Sequence, residues 1–497
     1  MDIITCLIGL AAIVAFFCWV RGHDPSLPPC PVTPLPFIGH LLYMDGNPRP
    51  YFKRWRKQCG DIYSLYMGRA LVVVLNGYDL LKEALVTHED TFSDRPYVLF
   101  DAVVTGKSGL GIVFSSGDIW EEQRAITMTS FRKLGATTSA MSERISELAA
   151  ETNERIAQHK GQPVDLNEII TSSTTNIVCF LIFGRCFDYS DEVFVKACFN
   201  IKYNISDADV RNWANFFPFL AYLPGDMFKL KKIKERANYI VNSFIKVNIQ
   251  KCRSENIHGH TEDNFITMYS ALSSKKRLEG QFTYLDEENL IKNIHDIFGA
   301  AVDTTSNTLL WCILYFLHYP ETQEKAYREI ERVVGTERPA NMSDKSRLPY
   351  LNAVIQETQR IASIVPLNVM HICSKTFRLR GYTIPKGTQI LPNLDSVLYD
   401  KTIWGEDVFT FRPERFLDEN GKVKHPPELV AFSMGRRFCP GAAIAKMQMF
   451  LFMSRMIQRF KFVPSEPGKL PPLTPKFGLT VSPVAYDVRA VERHALN

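Results

Sequence analysis

The stretch from Thr283 to His318 keeps a helical apolar periodicity with no proline and a single glycine. It reads as one helix, with Thr283 as N-cap and Asp286, Glu287 and Glu288 in the first turn. At 1.5 Å per residue it is about 50 Å long, enough to cross a whole domain. Further periodic stretches recur at 136–160, 227–252, 321–334, 347–361 and 441–460, and short strands are expected near Ile62–Leu75 and Phe377–Ile390. Beyond residue 40 there is no second linker, repeat or low-complexity tract. The expected fold class is mainly α with small β-sheets, in one large domain over residues 40–497. With 46% hydrophobic and 22% charged residues, the composition excludes disorder and coiled coil as whole-chain descriptions. A net charge of +5 over 497 residues implies no nucleic-acid partner.

Residues Ile3 to Val20 form an uncharged apolar run, preceded only by Asp2 and followed by Arg21 and the basic cluster Lys53, Arg54, Arg56 and Lys57. The length suits a single-pass transmembrane helix better than a cleaved signal, and the downstream positive charge places the body in the cytosol. Residues 1–21 are therefore expected to be a membrane anchor. Residues 22–39, with six prolines from Pro25 to Pro36, are expected to be a stiff linker holding the body at a set distance from the membrane.

The 11 cysteines are odd in number and never form a C-x-x-C pair, which excludes a dense disulfide scaffold and most zinc or iron–sulfur frameworks. Cys439 differs from the rest in its surroundings. It lies in Phe432-Ser-Met-Gly435-Arg-Arg437-Phe-Cys439-Pro-Gly441, just before an amphipathic helical run. Gly435 and Gly441 permit a tight backbone and close approach of a flat ligand. The helix dipole and Arg437 both favour a thiolate at Cys439. A lone thiolate in a loop can be the axial ligand of a heme iron but cannot make a tetrahedral zinc site.

The pattern F-x-x-G-x-R-x-C-x-G resembles the heme-binding signature of the cytochrome P450 family. The wording of GIVFSSGDIWEEQR, FRLRGYTIPKGT and FRPERFL is similar to the animal microsomal branch that oxidises drugs, steroids and fatty acids. The resemblance runs over nearly the whole chain. It implies the cytochrome P450 fold, heme b (iron protoporphyrin IX) as cofactor, and Cys439 as the metal ligand. Glu357 and Arg360, three apart on a helical stretch, share a face, and Arg415 is their natural third member; in the family this triad locks the core around the cysteine loop. Gly299-Ala-Ala-Val-Asp303-Thr304 resembles the family's oxygen-activation motif. It implies a catalytic hydroxyl at Thr304 for dioxygen and an acid at Asp303 to feed protons, with Ala301 standing where the family usually has glycine. Trp120 and Arg124 place an indole N–H and a guanidinium on one helix face, suited to heme propionates. Arg437 and His371 match the family's other propionate partners, and Arg95 is a further candidate.

By family position, the segment from Phe100 to Val113 and residues Phe298, Ala301, Thr305, Val365, Leu367, Phe477 and Leu479 line the substrate pocket. Apart from Asp101 and Lys107 these are apolar or small, which suits a lipophilic substrate. The stretch Trp213 to Tyr222 is either a segment that dips into the bilayer or ordinary core. The chain has no Walker A motif, and Ser108-Gly-Leu-Gly-Ile lacks the pattern of a dinucleotide site, so electrons must come from outside. The resemblance implies an NADPH-cytochrome P450 reductase, with cytochrome b5 as a second candidate donor, docking on Arg132, Lys133, Arg436 and Lys446. It also implies the endoplasmic reticulum membrane. The alternative activity is a heme-thiolate peroxide isomerase or lyase that needs no reductase; such members typically lack the acid–threonine pair.

Overall fold

A computed structural model describes residues 24–493 apart from Asp45, 136–138, 208–212 and 258–262, together with Ile4, Leu7 and Gly9. The expected anchor, 1–21, lies outside the described residues but for those three positions. Counting α-helices of seven residues or more, the described chain runs through α1 (Arg49–Cys59), α2 (Leu99–Thr105), α3 (Gly117–Leu134), α4 (Ser139–Ala157), α5 (Asn167–Phe183), α6 (Glu192–Asp207), α7 (Leu230–Tyr239), α8 (Lys246–Ile257), α9 (Phe265–Leu278), α10 (Glu287–His318), α11 (Pro320–Val333), α12 (Pro349–Ala362) and α13 (Ala442–Arg459).

The expected long helix is α10. Its cap is Asp286, whose carboxylate accepts the Asn289 N–H at 2.8 Å, and not Thr283. Thr283 is taken by another element: its hydroxyl donates to Glu122 at 2.7 Å, and the same carboxylate accepts the Tyr284 N–H, which holds this segment against α3 and out of the helix. Among the described residues α10 is the one helix long and apolar enough to cross a membrane, but it is buried as the axis of the body. Its apolar side chains share one core with α4, α5, α6, α12 and α13. Proline opens α11 and α12, where a first-turn N–H needs no partner.

The strands form one four-stranded sheet and three small pairs. β1 (Ile62–Met67) and β2 (Ala70–Leu75) make an antiparallel hairpin, with Ile62 opposite Leu75. β6 (Gln389–Pro392) runs parallel to β2, and β3 (His371–Ile372) closes the other edge, giving the order β1-β2-β6-β3. The pairs are β4 (Phe377–Leu379) with β5 (Tyr382–Ile384), β7 (Phe460–Pro464) with β10 (Val488–Glu492), and β8 (Pro475–Phe477) with β9 (Val481–Pro483).

The proline-rich segment does not stand off from the body. The Pro28 and Pro29 carbonyls accept from the Ser64 hydroxyl and N–H, the Ser26 carbonyl accepts from Thr383 N–H, and Gly39 bridges to Met67. Proline denies this segment its own N–H donors but leaves its carbonyls free, so it lies along β1 as an added edge.

Candidate functional site

Cys439 sits between a short turn, Gly435–Arg437, and the start of α13. Its N–H donates to the Phe432 carbonyl at 3.0 Å, and the N–H groups of Gly441 and Ala442, at the head of α13, point at its sulfur. Burial pushes the Cys439 thiol up; those amides and the Arg124 guanidinium pull it back towards the thiolate. The cation expected to do this, Arg437, faces elsewhere. Gly435 is needed for a reason other than a flat ligand: it has φ +71°, and a Cβ there would collide with the Leu85 carbonyl. A Cβ at Gly441 would meet no atom within 4 Å, so that position is the open one.

Arg437 lies over the ring of buried Trp120 at 4.0 Å and donates to the Ser93, Ile112 and Ser115 carbonyls at 2.8, 3.3 and 2.6 Å. Arg95 donates to the Val369 and Met370 carbonyls at 2.7 and 2.8 Å, which pins it beside β3. Arg124 donates to the Phe438 carbonyl at 2.6 Å. His371 is tied through Nδ1 to the Phe92 carbonyl at 2.6 Å, while its Nε2 is buried with no partner. Burial and mutual repulsion act together here. Arg437 is pushed down to about 8, first by burial and then by Arg95. His371 is held well below its usual range by burial, Arg95 and Arg437. Among the described residues no carboxylate forms an ion pair with Arg95, Arg124 or Arg437. Guanidinium groups gathered in and beside a buried site are costly unless an anion completes them. The donor set therefore fits a flat cofactor carrying two carboxylates and bound to a thiolate, which is the chemistry of heme.

The long helix has a break in its burial. Within its buried middle, Ala300 is exposed and Ala301 and Thr304 are half-buried. Ala300 and Thr304 are one turn apart, and the Thr304 hydroxyl donates to the Ala300 carbonyl at 2.8 Å. Gly299 does not belong to this face: it packs against Ile201 of α6. Asp303 does not share the face with Thr304 either. It is buried, accepts from the Thr480 hydroxyl in the β8–β9 turn, and has Asn307 and Lys202 as neighbours. Burial pushes its carboxyl up, against the pull of Lys202. Adjacent helix positions point about 100° apart, so the motif spreads its acid and hydroxyl over different neighbours.

The triad assembles in full burial. Arg360 grips Glu357 with two bonds of 2.7 and 2.8 Å, and Arg415 reaches the same carboxylate at 3.0 Å. Asp407, not expected, is the second acid on Arg415 at 3.3 Å.

The expected pocket residues divide. Phe100 packs edge-on against Phe114 at 5.3 Å, and Val365 and Leu367 are half-buried. Thr305 is buried. Phe298 is fully buried against Phe244 at 5.3 Å in the helical core, two residues and so more than half a turn away from Ala300; it is core, not lining. Phe477 presents a ring face to Arg49 at 5.0 Å, and Leu479, beside it, is half-buried. On the cysteine side, Arg132 and Lys133 are exposed, while Arg436 is paired with Glu121 at 2.6 Å and Lys446 lies over Phe432 at 5.3 Å. A cavity of about 270 Å³ opens beside the cysteine loop, with Lys82, His425, Lys446 and Phe438 among its walls.

The comparisons agree with this geometry. A family model for cytochrome P450 matches residues 28–490. The chain belongs to the cytochrome P450 family. It is 34% identical to cytochrome P450 2U1 of Homo sapiens, with 98% of this chain and 93% of that protein covered. It is equally similar, at 34%, to cytochrome P450 2B4 of Oryctolagus cuniculus (95% and 96% covered) and to cytochrome P450 2K1 of Oncorhynchus mykiss (95% and 92% covered). As a cytochrome P450 it is a heme-binding monooxygenase, similar to the animal microsomal branch.

Proposed function

We propose that this cytochrome P450 is a membrane-anchored monooxygenase of the endoplasmic reticulum that takes electrons from a separate NADPH-dependent reductase and inserts one oxygen atom into a lipophilic small molecule. The observation that carries the reading is the group of Arg95, Arg124, His371 and Arg437, in which no arginine has a carboxylate ion-pair partner among the described residues, together with a thiol at the head of α13. Cys439 would hold the iron, and those four side chains with Trp120 would hold the carboxylate edge. When bound, heme supplies the redox centre, and its thiolate ligand donates the electron density that favours O–O cleavage. Thr304 would offer the open face a hydroxyl that can hydrogen-bond dioxygen; in this structure it donates to the Ala300 carbonyl. Asp303, raised by burial, holds a proton more readily than an ordinary carboxyl and stands one residue away. The half-buried aliphatic side chains of Val365, Leu367 and Leu479 favour an apolar substrate.

An apolar surface supports the membrane assignment. Phe37, Leu42, Phe219, Leu223 and Met227 are exposed, on two segments that flank the β1–β2 turn: Gly68 donates to the Ile38 carbonyl and touches Phe217. The aromatic stretch divides its labour, since Trp213, Phe216 and Phe217 pack on the sheet while Phe219 faces out.

The deciding experiment is the carbon monoxide difference spectrum of the reduced protein. A Soret band at the thiolate position is expected; its absence overturns the reading, and Cys439→His should abolish it. Turnover of a panel of steroids, fatty acids and drugs with reductase and NADPH then identifies the substrate class.

A further inference from the structure

Near the start of α10 is a set of charges that the reaction does not use. Lys292 reaches Asp101 of α2 at 2.9 Å and also pairs with Asp296 one turn along its own helix; the three side chains are 2%, 1% and 4% exposed. Burying three ions is costly unless they are satisfied; His295 lies 4.0 Å from Asp296, and the other hydrogen bonds to the two acids come from one loop. Asp101 accepts from the Ser108 hydroxyl at 3.1 Å and the Gly109 N–H at 3.2 Å. Asp296 accepts from the N–H groups of Ile112 and Val113, each at 3.0 Å, and Asn289 accepts from Gly111 at 3.1 Å. Burial works against the charge on Lys292, but Asp296 and Asp101 outweigh it. The loop's fit is close: a Cβ on Gly111, at φ +72°, would press on Asp296 and Lys292.

The loop and α2 carry aromatic rings next to the ion set. Phe100 of α2 and Phe114 after the loop pack on each other, and the Lys292 ammonium lies 5.8 Å from the Phe114 ring. Asp296 stands one turn before Ala300 and two before Thr304. Asp296 and Asn289 thus hold the loop to the long helix directly, and the Lys292 ammonium ties Asp101 of α2 to the same point.

We propose that Lys292 is a positioning residue for substrate selection: by bridging Asp101 and Asp296 it clamps α2 and the 106–114 loop to the long helix and fixes how large a molecule fits beside Ala300 and Thr304. This rests on that face being the substrate side.

Two heme-loaded variants test it, Lys292→Met and Asp101→Ala, the second keeping the Lys292–Asp296 pair. Hydrogen exchange and azole binding to the heme are compared with the unaltered enzyme. The amides of 106–114 should exchange about tenfold faster while those of α5 stay unchanged. The affinity for 4-phenylimidazole relative to imidazole should change by about fivefold or more, with imidazole itself little altered. Unchanged loop exchange together with an unchanged affinity ratio overturns the proposal. Loss of the carbon monoxide band in both variants overturns it as well, because the ions would then serve the whole fold. Absence of that band in the unaltered protein would instead defeat the monooxygenase reading, and the exchange measurement distinguishes the two failures.

Discussion

Thr304 and Asp303 stand next to each other in the chain and face different surroundings, so they should fail differently. Thr304→Ala removes a hydroxyl from the open face and leaves the cation group untouched. Heme content should be unchanged while the peroxide released per NADPH rises several-fold, measured by oxygen and peroxide electrodes; an unchanged product yield would refute the role. Asp303 is a case of linkage. Its carboxyl is raised by burial, so the native state binds a proton more readily than the unfolded chain. That contribution is present below about pH 4 and is lost as the pH rises through the folded value. Asp303→Asn should therefore raise stability at pH 7.5, with the gain shrinking towards acid pH, while slowing turnover. Denaturant titrations at two pH values check the sign.

At the scale of elements, the contrast between Gly435 and Gly441 is a direct test of the cysteine loop. Gly435→Ala forces a positive φ and a collision with Leu85, and should cost roughly 3 kcal/mol. Gly441→Ala adds a methyl that meets no protein atom, and should fold normally. Glu357→Gln leaves two buried guanidinium groups short of charge and should destabilise by about 3–5 kcal/mol, seen as a lower midpoint in urea. These elements were also the most legible in sequence. The triad came out of spacing plus motif order, and α10 from its period. What spacing could not supply was direction. Thr283 looks like a cap, but Glu122, 161 positions away, takes it. Phe298 is apolar in a pocket-forming helix, yet its side of the helix is packed by Phe244. Arg437 stands two residues from Cys439 and points away, while Arg124, from another helix, is the nearby charge. The Lys292 bridge had only its i,i+4 spacing to Asp296 as a local signal, because its second acid, Asp101, comes from a distant helix.

For the whole molecule, the proline segment packs on the body through its carbonyls. The exposed Phe219 and Met227 predict a surface affinity that persists without the first 21 residues. A form starting at residue 22 should still bind mixed phosphatidylcholine–phosphatidylserine vesicles. The double change Phe219→Asp and Met227→Asp should weaken that binding about tenfold or more, read by flotation, with heme content unaltered. Equal partitioning of the two forms would remove this face from the membrane.

The bond from Thr480 to Asp303 has a mechanical consequence. The turn that holds the acid also carries Leu479, and Val481 beyond it is tied by its N–H to Ile364, next to Val365. A guest that presses on this hairpin therefore tugs on the carboxyl. On the proposed reading, the fidelity with which reducing equivalents end in product would then depend on each guest's shape, and a poorly fitting molecule should lose stoichiometry before it loses affinity.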